Sequence, residues 1–476
     1  GKCITMAEIL DLPRNEHGIA TVIEALAGQF GARLATSAAL REQHGHTTTW
    51  LRTQAPDAVF FVQSTEEVQD VVRLCARHHV PVIPFGAGSS LEGHVNASAG
   101  GICIDFSQMN RILRVSAEDM DVVIEPGVTR KALNTHLRDT GLFFPVDPGA
   151  DATLGGMAAT GASGTNAVRY GTMKENILGL KAVLPSGEIV KTAARARKSS
   201  AGYDLTHLMI GSEGTLGLIT ELTLRLRGIP AAISAATCSF PSVEAACECV
   251  IATVQYGLPV ARIELLDKLM VEAVNRYSKL SLPETPLLLL EFHGSETGVA
   301  EDAESFGEIA ADFGGTGFAA TTLEEERNQL WQARHDAYWA GLALRPGAKG
   351  ISTDICVPVS RLAEAVTKAQ TRASELGMIA PVVGHVGDGN FHVLMLIDTD
   401  SPAEVEMAEG FVAWLNDMAI AMEGTCTGEH GIGQGKAAYL IRELGPEAIE
   451  VMATIKRGID PQNIFNPGKM GLPNYG

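Results

Sequence analysis

Apolar residues recur at three- and four-residue spacing through residues 7–50, which predicts a helical, amphipathic opening. From Val59 the period changes. Val59–Val62 predicts a short strand, Ser64-Thr65-Glu66-Glu67 a helix start, Val68–His79 the helix, and Val80–Phe85 a second strand. Further strands are expected over Gly101–Phe106, Asp121–Glu125, Leu178–Leu184 and Leu216–Leu226. Pro230 and the Ala/Ser-rich stretch 231–239 predict a joint. Beyond it, helix and strand alternate afresh at Val243–Tyr256, Leu287–His293, Glu301–Phe313, Arg361–Leu376 and His392–Ile397. The expected class is α+β, with a first domain over 1–230 (helical extension 1–52). A second α+β domain covers 231–425, and a C-terminal segment covers 426–476.

Composition narrows the function classes. The chain has 476 residues with 46% hydrophobic and 20% charged positions, enough apolar material for several cores without staples. The net charge of −19 comes without any basic stripe, so nucleic acid is excluded as a partner. No run of about 18 apolar residues exists, so no transmembrane segment is expected. The eight cysteines show no Cys-x-x-Cys spacing and sit among apolar neighbours, which points to buried free thiols and a reducing compartment. The opening residues lack the apolar core of a secretory signal, and Met6 reads as a natural start.

Glycine is in excess, at 50 residues, and it is concentrated in three loops. Gly86-Ala87-Gly88-Ser89-Ser90 follows a strand directly, and such a sequence exposes backbone N–H groups as a phosphate site requires. It is not the dinucleotide fingerprint, because no third glycine opens a helix at the right distance. A second run, Pro148–Ala159 continuing through Gly161–Asn166, and a third, Gly211–Ile219, are made of equally small side chains. Three such loops favour a large extended cofactor over a single phosphate.

A different chemistry is suggested by Gly384-His385-Val386-Gly387-Asp388-Gly389-Asn390-Phe391-His392. If Val386 and Phe391 close a four-residue hairpin, His385 and His392 face each other across the strands, at a Cβ separation of about 5 Å. Two histidines with a carboxylate suit a divalent ion, zinc or manganese alike. Asp388 competes for the carboxylate role, but turn aspartates cap their own backbone and it is set aside.

The order Pro84–Gly93, Pro148–Gly164 and Gly211–Ile219 resembles the FAD-binding domain of the vanillyl-alcohol oxidase-type flavoproteins. The likeness continues through Trp331–Asp336, His385–His392, Gly424–Lys436 and Asn466-Pro467-Gly468-Lys469. Over residues 45–472 the chain is similar to the FAD-linked D-2-hydroxy-acid dehydrogenases, within them to the cytochrome-linked D-lactate group. The resemblance implies that residues 1–230 bind FAD, non-covalently even though His94 adjoins the first loop. It makes 231–425 a substrate (cap) domain with the metal site, and returns 426–476 to the FAD domain.

The residues it implies around FAD begin with Pro84, Gly86, Ala87, Gly88, Ser89 and Ser90 in the first loop. Pro148, Gly149, Thr153, Gly155, Gly156, Ala159, Ser163 and Gly164 come from the second, and Glu213, Gly214, Ile219 and Asn466 complete the set. It also implies a metal on His385, His392 and Glu429. His430 becomes the base that takes the C2 hydroxyl proton as hydride leaves C2 for flavin N5. Arg334 and Lys349 become anchors for the substrate carboxylate, with Arg345 as a substitute for either.

Two positions depart from the 2-hydroxyglutarate-type relatives: Leu394 replaces a polar Asn, and Tyr338 a small hydroxyl residue. An apolar lining there is costly for a second carboxylate to enter, which favours D-lactate. Glycolate, D-2-hydroxyglutarate and a flavin-binding subunit of a larger assembly are the alternatives. The implied partners are a 2-hydroxy acid and an electron acceptor: a quinone, a cytochrome or an electron-transfer protein. The implied location is the cytoplasm, with attachment at the inner-membrane surface as a variant, or the mitochondrial matrix in a eukaryote.

Overall fold

The computed structural model describes Ile9 and residues 11–475; Met6 and Cys3 lie outside these. The chain divides into two compact units. The first comprises Gly1–Ser163, Thr172–Gly228 and Glu429–Gly476, the second Gly164–Gly171 and Ile229–Gly428.

The amphipathic opening of the first unit is not one helix. It consists of a helix Glu16–Phe30, a 3-10 turn Gly31–Arg33, a two-residue strand Leu34–Ala35 and a short helix Ala38–Gln43. Gly31, at φ 58° and ψ −125°, takes a backbone conformation that suits glycine and ends the first helix. The strand–helix–strand motif lies at Ala58–Phe61, Thr65–Arg77 and Val82–Phe85, with Ser64 accepting a hydrogen bond from Glu67 N as helix cap. Strand Ile102–Asp105 lies between the two strands and pairs with both in parallel. Phe60, Val68, Val72, Ile102, Ile104 and Phe465 share the core on this sheet.

An antiparallel sheet of five strands completes the unit, in the order Ile112–Ser116, Asp121–Ile124, Leu218–Arg225, Ile177–Val183 and Ile189–Lys191. The C-terminal segment is part of this unit. Phe465 bridges Val82, and Asn466 N donates to Val82 O at 2.9 Å.

The second unit is built on seven antiparallel strands. Their order is Thr316–Thr321, Ala232–Ser239, Leu287–Gly294, Val260–Leu266, Val382–Gly384, His392–Ile397 and Lys349–Ser352. Leu287, Leu288, Leu289 and Leu290 of the third strand in this order are all buried, and each contributes about 2 kcal/mol of burial. Helix Val243–Tyr256 packs against helix Leu362–Glu375.

One segment departs from the expected division. Residues 164–171, expected within the first domain, belong to the second unit. Arg262 Nε donates to Asn166 Oδ1 at 2.8 Å, Arg169 donates to Pro259 O at 3.0 Å, and the Tyr170 hydroxyl lies 2.7 Å from His293 Nδ1. These bonds reach across 90 to 123 residues of chain, so no local pattern announces them. The second boundary falls between Gly428 and Glu429 rather than at 425/426.

Candidate active site

In the first unit the three glycine-rich loops converge. A Cβ on Gly86 would overlap Thr153 Oγ1, so the first loop lies directly on the residue that caps helix Leu154–Thr160. Gly211 N donates to Ala158 O and Glu213 N to Ala159 O, at 2.9 and 2.8 Å, which ties the third loop to the second. Gly214 has φ +71° and would drive a side chain into the Pro84 ring. Asn466 Nδ2 reaches His94 O at 3.0 Å and Glu213 O at 2.8 Å. Pro84, Gly86, Thr153, Ala159, Glu213, Gly214 and Asn466 are thus joined by direct contacts.

The other residues expected around FAD are placed less tightly. Gly155 backs onto Pro126, and Ile219 is buried in its strand. Ala87, Ser89 and Gly149 are exposed, with Gly88, Pro148, Gly156 and Ser163 half-buried, and Gly164 opens the segment held by the second unit. The donor set fits FAD. Close-packed glycine backbone forms the cradle, and Ser90 Oγ is buried without a hydrogen-bond partner among the described residues, as a hydroxyl awaiting a ligand would be. A cavity of about 520 Å³ borders this loop, lined by His44, Phe61, Phe85, Ala87, Gly88 and Asp105 among others.

Glu213 also holds a second stretch of the chain. Its carboxylate accepts from Ile432 N and Gly433 N at 2.7 and 2.9 Å and lies 3.1 Å from His94 Nε2. Burial opposes its charge, but the imidazole and the two N–H donors hold its pKa below the usual value. The segment it grips carries Glu429 and His430, which lie 3.8 Å apart.

In the second unit the histidine motif differs from the expected hairpin. His392 pairs with Val383, not with His385. Val386–Asp388 winds into a 3-10 turn closed by Gly389 at φ 80°, so the strand ends at Gly384 and His385 leaves the ladder. The rings still approach, edge to face, with centroids 5.5 Å apart. His392 Nδ1 lies 2.8 Å from Thr353 O. A carbonyl only accepts, so Nδ1 is the donor, which in the neutral ring leaves the lone pair on Nε2.

Three buried residues escaped the sequence reading. Glu264 lies 2.9 Å from His385 Nδ1 and accepts from Arg334 Nε at 2.7 Å. Burial opposes its charge as well, and His385 and Arg334 together hold its pKa below the usual value. Asp354 accepts from Asn390 Nδ2 and Thr427 Oγ1, each at 3.0 Å, and lies 3.6 Å from His392 Nδ1. Its carbonyl accepts from Gly428 N at 2.8 Å, immediately before Glu429 in the chain. Glu291 takes the same part for His293, at 2.5 Å. Glu264 and Asp354 lie far along the chain from their histidines, and no spacing rule connects them, whereas Glu291 stands two residues before His293 on one strand. Two imidazoles held by their Nδ1 atoms, with carboxylates nearby, fit a divalent ion.

Arg334 is buried, and its Nη groups make no hydrogen bond among the described residues. Lys349 is exposed on the edge strand opposite Ile397. Arg345 is committed to Glu404, at 2.5 and 3.1 Å. Tyr338 packs in one apolar cluster with Trp331, Val383 and the buried Leu394.

Residues 56–193 match a family described as FAD binding domain, and residues 229–470 one described as FAD linked oxidases, C-terminal domain. The chain is 51% identical over 440 residues to a "Probable D-lactate dehydrogenase, mitochondrial" of Danio rerio, covering 92% of this chain and 88% of that one. It is 46% identical over 419 residues to "D-lactate dehydrogenase [cytochrome], mitochondrial" of Arabidopsis thaliana, covering 88% and 74%. The solved structure of p-cresol methylhydroxylase superposes with a TM-score of 0.79 at 14% identity, covering 98% of this chain and 100% of that one. That shared fold is the vanillyl-alcohol oxidase type, as expected. Among the described residues no helix is long and apolar enough to cross a membrane. The chain belongs to the family of FAD-linked oxidases, as an FAD-dependent oxidoreductase with the D-lactate dehydrogenases among its near relatives.

Proposed function

We propose that this chain oxidises D-lactate to its 2-oxo acid, using non-covalent FAD and one divalent metal, zinc or manganese. The observation that carries the reading is the buried Arg334 beside a histidine pair whose rings lie 5.5 Å apart. It sits in a chain 51% identical to a relative named as a D-lactate dehydrogenase. When bound, FAD accepts the electron pair leaving C2, and the metal supplies positive charge beside the substrate hydroxyl.

The protein does the rest. Arg334 grips the carboxylate through its Nη edge. His385, His392 and Glu429 hold the ion, and His430, next to Glu429 in the chain, takes the hydroxyl proton. The apolar wall of Tyr338 and Leu394 receives the methyl group and offers a second carboxylate no partner. A cytochrome as acceptor and a mitochondrial location follow the names of the relatives.

The test is anaerobic mixing of the purified protein with D-lactate, L-lactate, glycolate and D-2-hydroxyglutarate in turn, following flavin absorbance. Rapid bleaching by D-lactate, slower bleaching by glycolate and none by the other two is the expected result. Bleaching by the dicarboxylate alone would overturn the substrate assignment.

A further inference from the structure

Glu264 stands on the strand Val260–Leu266 with no measurable exposure, and two elements distant in sequence meet on its carboxylate. Arg334, from helix Glu324–His335, donates Nε to Oε1 at 2.7 Å. His385, just beyond the strand Val382–Gly384, brings Nδ1 to 2.9 Å from both oxygens. We infer that Glu264 is a positioning residue that aims two parts of the site at once: His385 Nε2 toward a divalent ion, and the Nη edge of Arg334 toward the substrate carboxylate. This rests on the roles proposed above for His385 and Arg334.

An ionised carboxylate only accepts hydrogen bonds, so His385 Nδ1 must be the donor, and in the neutral ring the lone pair lies on Nε2. Two oxygens equidistant from one N–H also fix the ring's orientation. A carboxylate behind an imidazole raises its basicity as a ligand, and losing such a partner typically weakens metal binding about 10–100-fold. His392 has a neutral carbonyl, Thr353 O, in the same place, so the two histidines are backed differently. For Arg334 the effect is geometric. With Nε occupied, an incoming carboxylate can meet only the two Nη groups, in a parallel two-bond grip. One buried charge therefore sets metal and substrate in register with each other.

The alternative is a buried ion cluster that serves folding alone. The two are separated by titrating metal-stripped protein, FAD retained, with Mn²⁺ and reading free Mn²⁺ by electron paramagnetic resonance. Glu264→Gln should bind Mn²⁺ about 10–100-fold more weakly than the parent. Arg334→Met should keep the parent's Mn²⁺ affinity while raising the KM for D-lactate.

Because Glu264→Gln strands a buried arginine, the double variant Glu264→Gln/Arg334→Met removes both charges and restores a neutral interior. It should remain weak in Mn²⁺ binding. Parent-like affinity in the double variant would overturn the inference, whatever the melting temperature did. A parent protein that binds neither Mn²⁺ nor Zn²⁺ would instead sink the metal assignment itself, and this inference with it.

Discussion

Glu213 in the first unit and Glu264 in the second are buried carboxylates with lowered pKa, yet they are stabilised by different means. Glu213 accepts two backbone N–H groups of a loop, with one imidazole alongside. Glu264 is held by two side chains, a guanidinium and an imidazole, from two further elements. The first arrangement fixes the course of a backbone. The second fixes the aim of functional groups. Asp267, three residues after Glu264, is the instructive third case. Its partners are neutral donors, Met270 N and Gln370 Nε2, and burial raises its pKa to about 6. Burial is common to all three, and an imidazole or guanidinium beside the carboxylate decides the direction.

The largest effect expected is on the loop that Glu213 holds. His430→Ala should lower kcat by about 10²–10⁴-fold, the usual contribution of a general base, while leaving the flavin spectrum intact. Steady-state turnover with D-lactate alongside an absorbance scan checks this, and near-parental turnover would remove His430 from the chemistry.

The second prediction sharpens the electrostatic contrast. Asp267 is protonated more readily folded than unfolded, so its contribution favours the fold below the ordinary value of 3.8. That contribution is lost as pH rises through about 6. The span corresponds to about 3 kcal/mol. Asp267→Asn should accordingly gain thermal stability relative to the parent at pH 7 and show no such gain at pH 4. Equal midpoint differences at the two pH values would mean that Asp267 is charged without penalty.

The smallest effect tests Glu213 itself. Glu213→Gln offers one acceptor oxygen where two N–H groups need one each, a cost of about 1–3 kcal/mol. The readout is the melting temperature together with retention of FAD on gel filtration. An unchanged melting temperature would show that water or a neighbour replaces the lost oxygen.

What the sequence disclosed follows the range of the forces involved. Helix Val243–Tyr256 and strand His392–Ile397 are local products of periodicity and stand where the pattern placed them. The glycine loops were legible because small residues in runs serve a backbone need that any reader of the sequence can see. The register of His385 and His392 was not, because a 3-10 turn and a hairpin use the same Gly-Asp-Gly-Asn letters. Glu264 and Asp354 were invisible for another reason. Their meaning lies in a partner tens to more than a hundred residues away, and nothing in a lone acid's neighbourhood names that partner. The transfer of residues 164–171 to the second unit is the same blindness at larger scale.

The bond from Asn466 to His94 O joins positions 372 residues apart, and it closes the first unit with the last stretch of the chain. At synthesis rates of about 5–20 residues per second, His94 waits roughly 20–75 s on the ribosome before that partner is made. The second unit's residues 229–428 are complete before then. Assembly therefore runs against chain order: the unit begun first is finished last, and a nascent chain released early would lack the clasp over its glycine-rich loops.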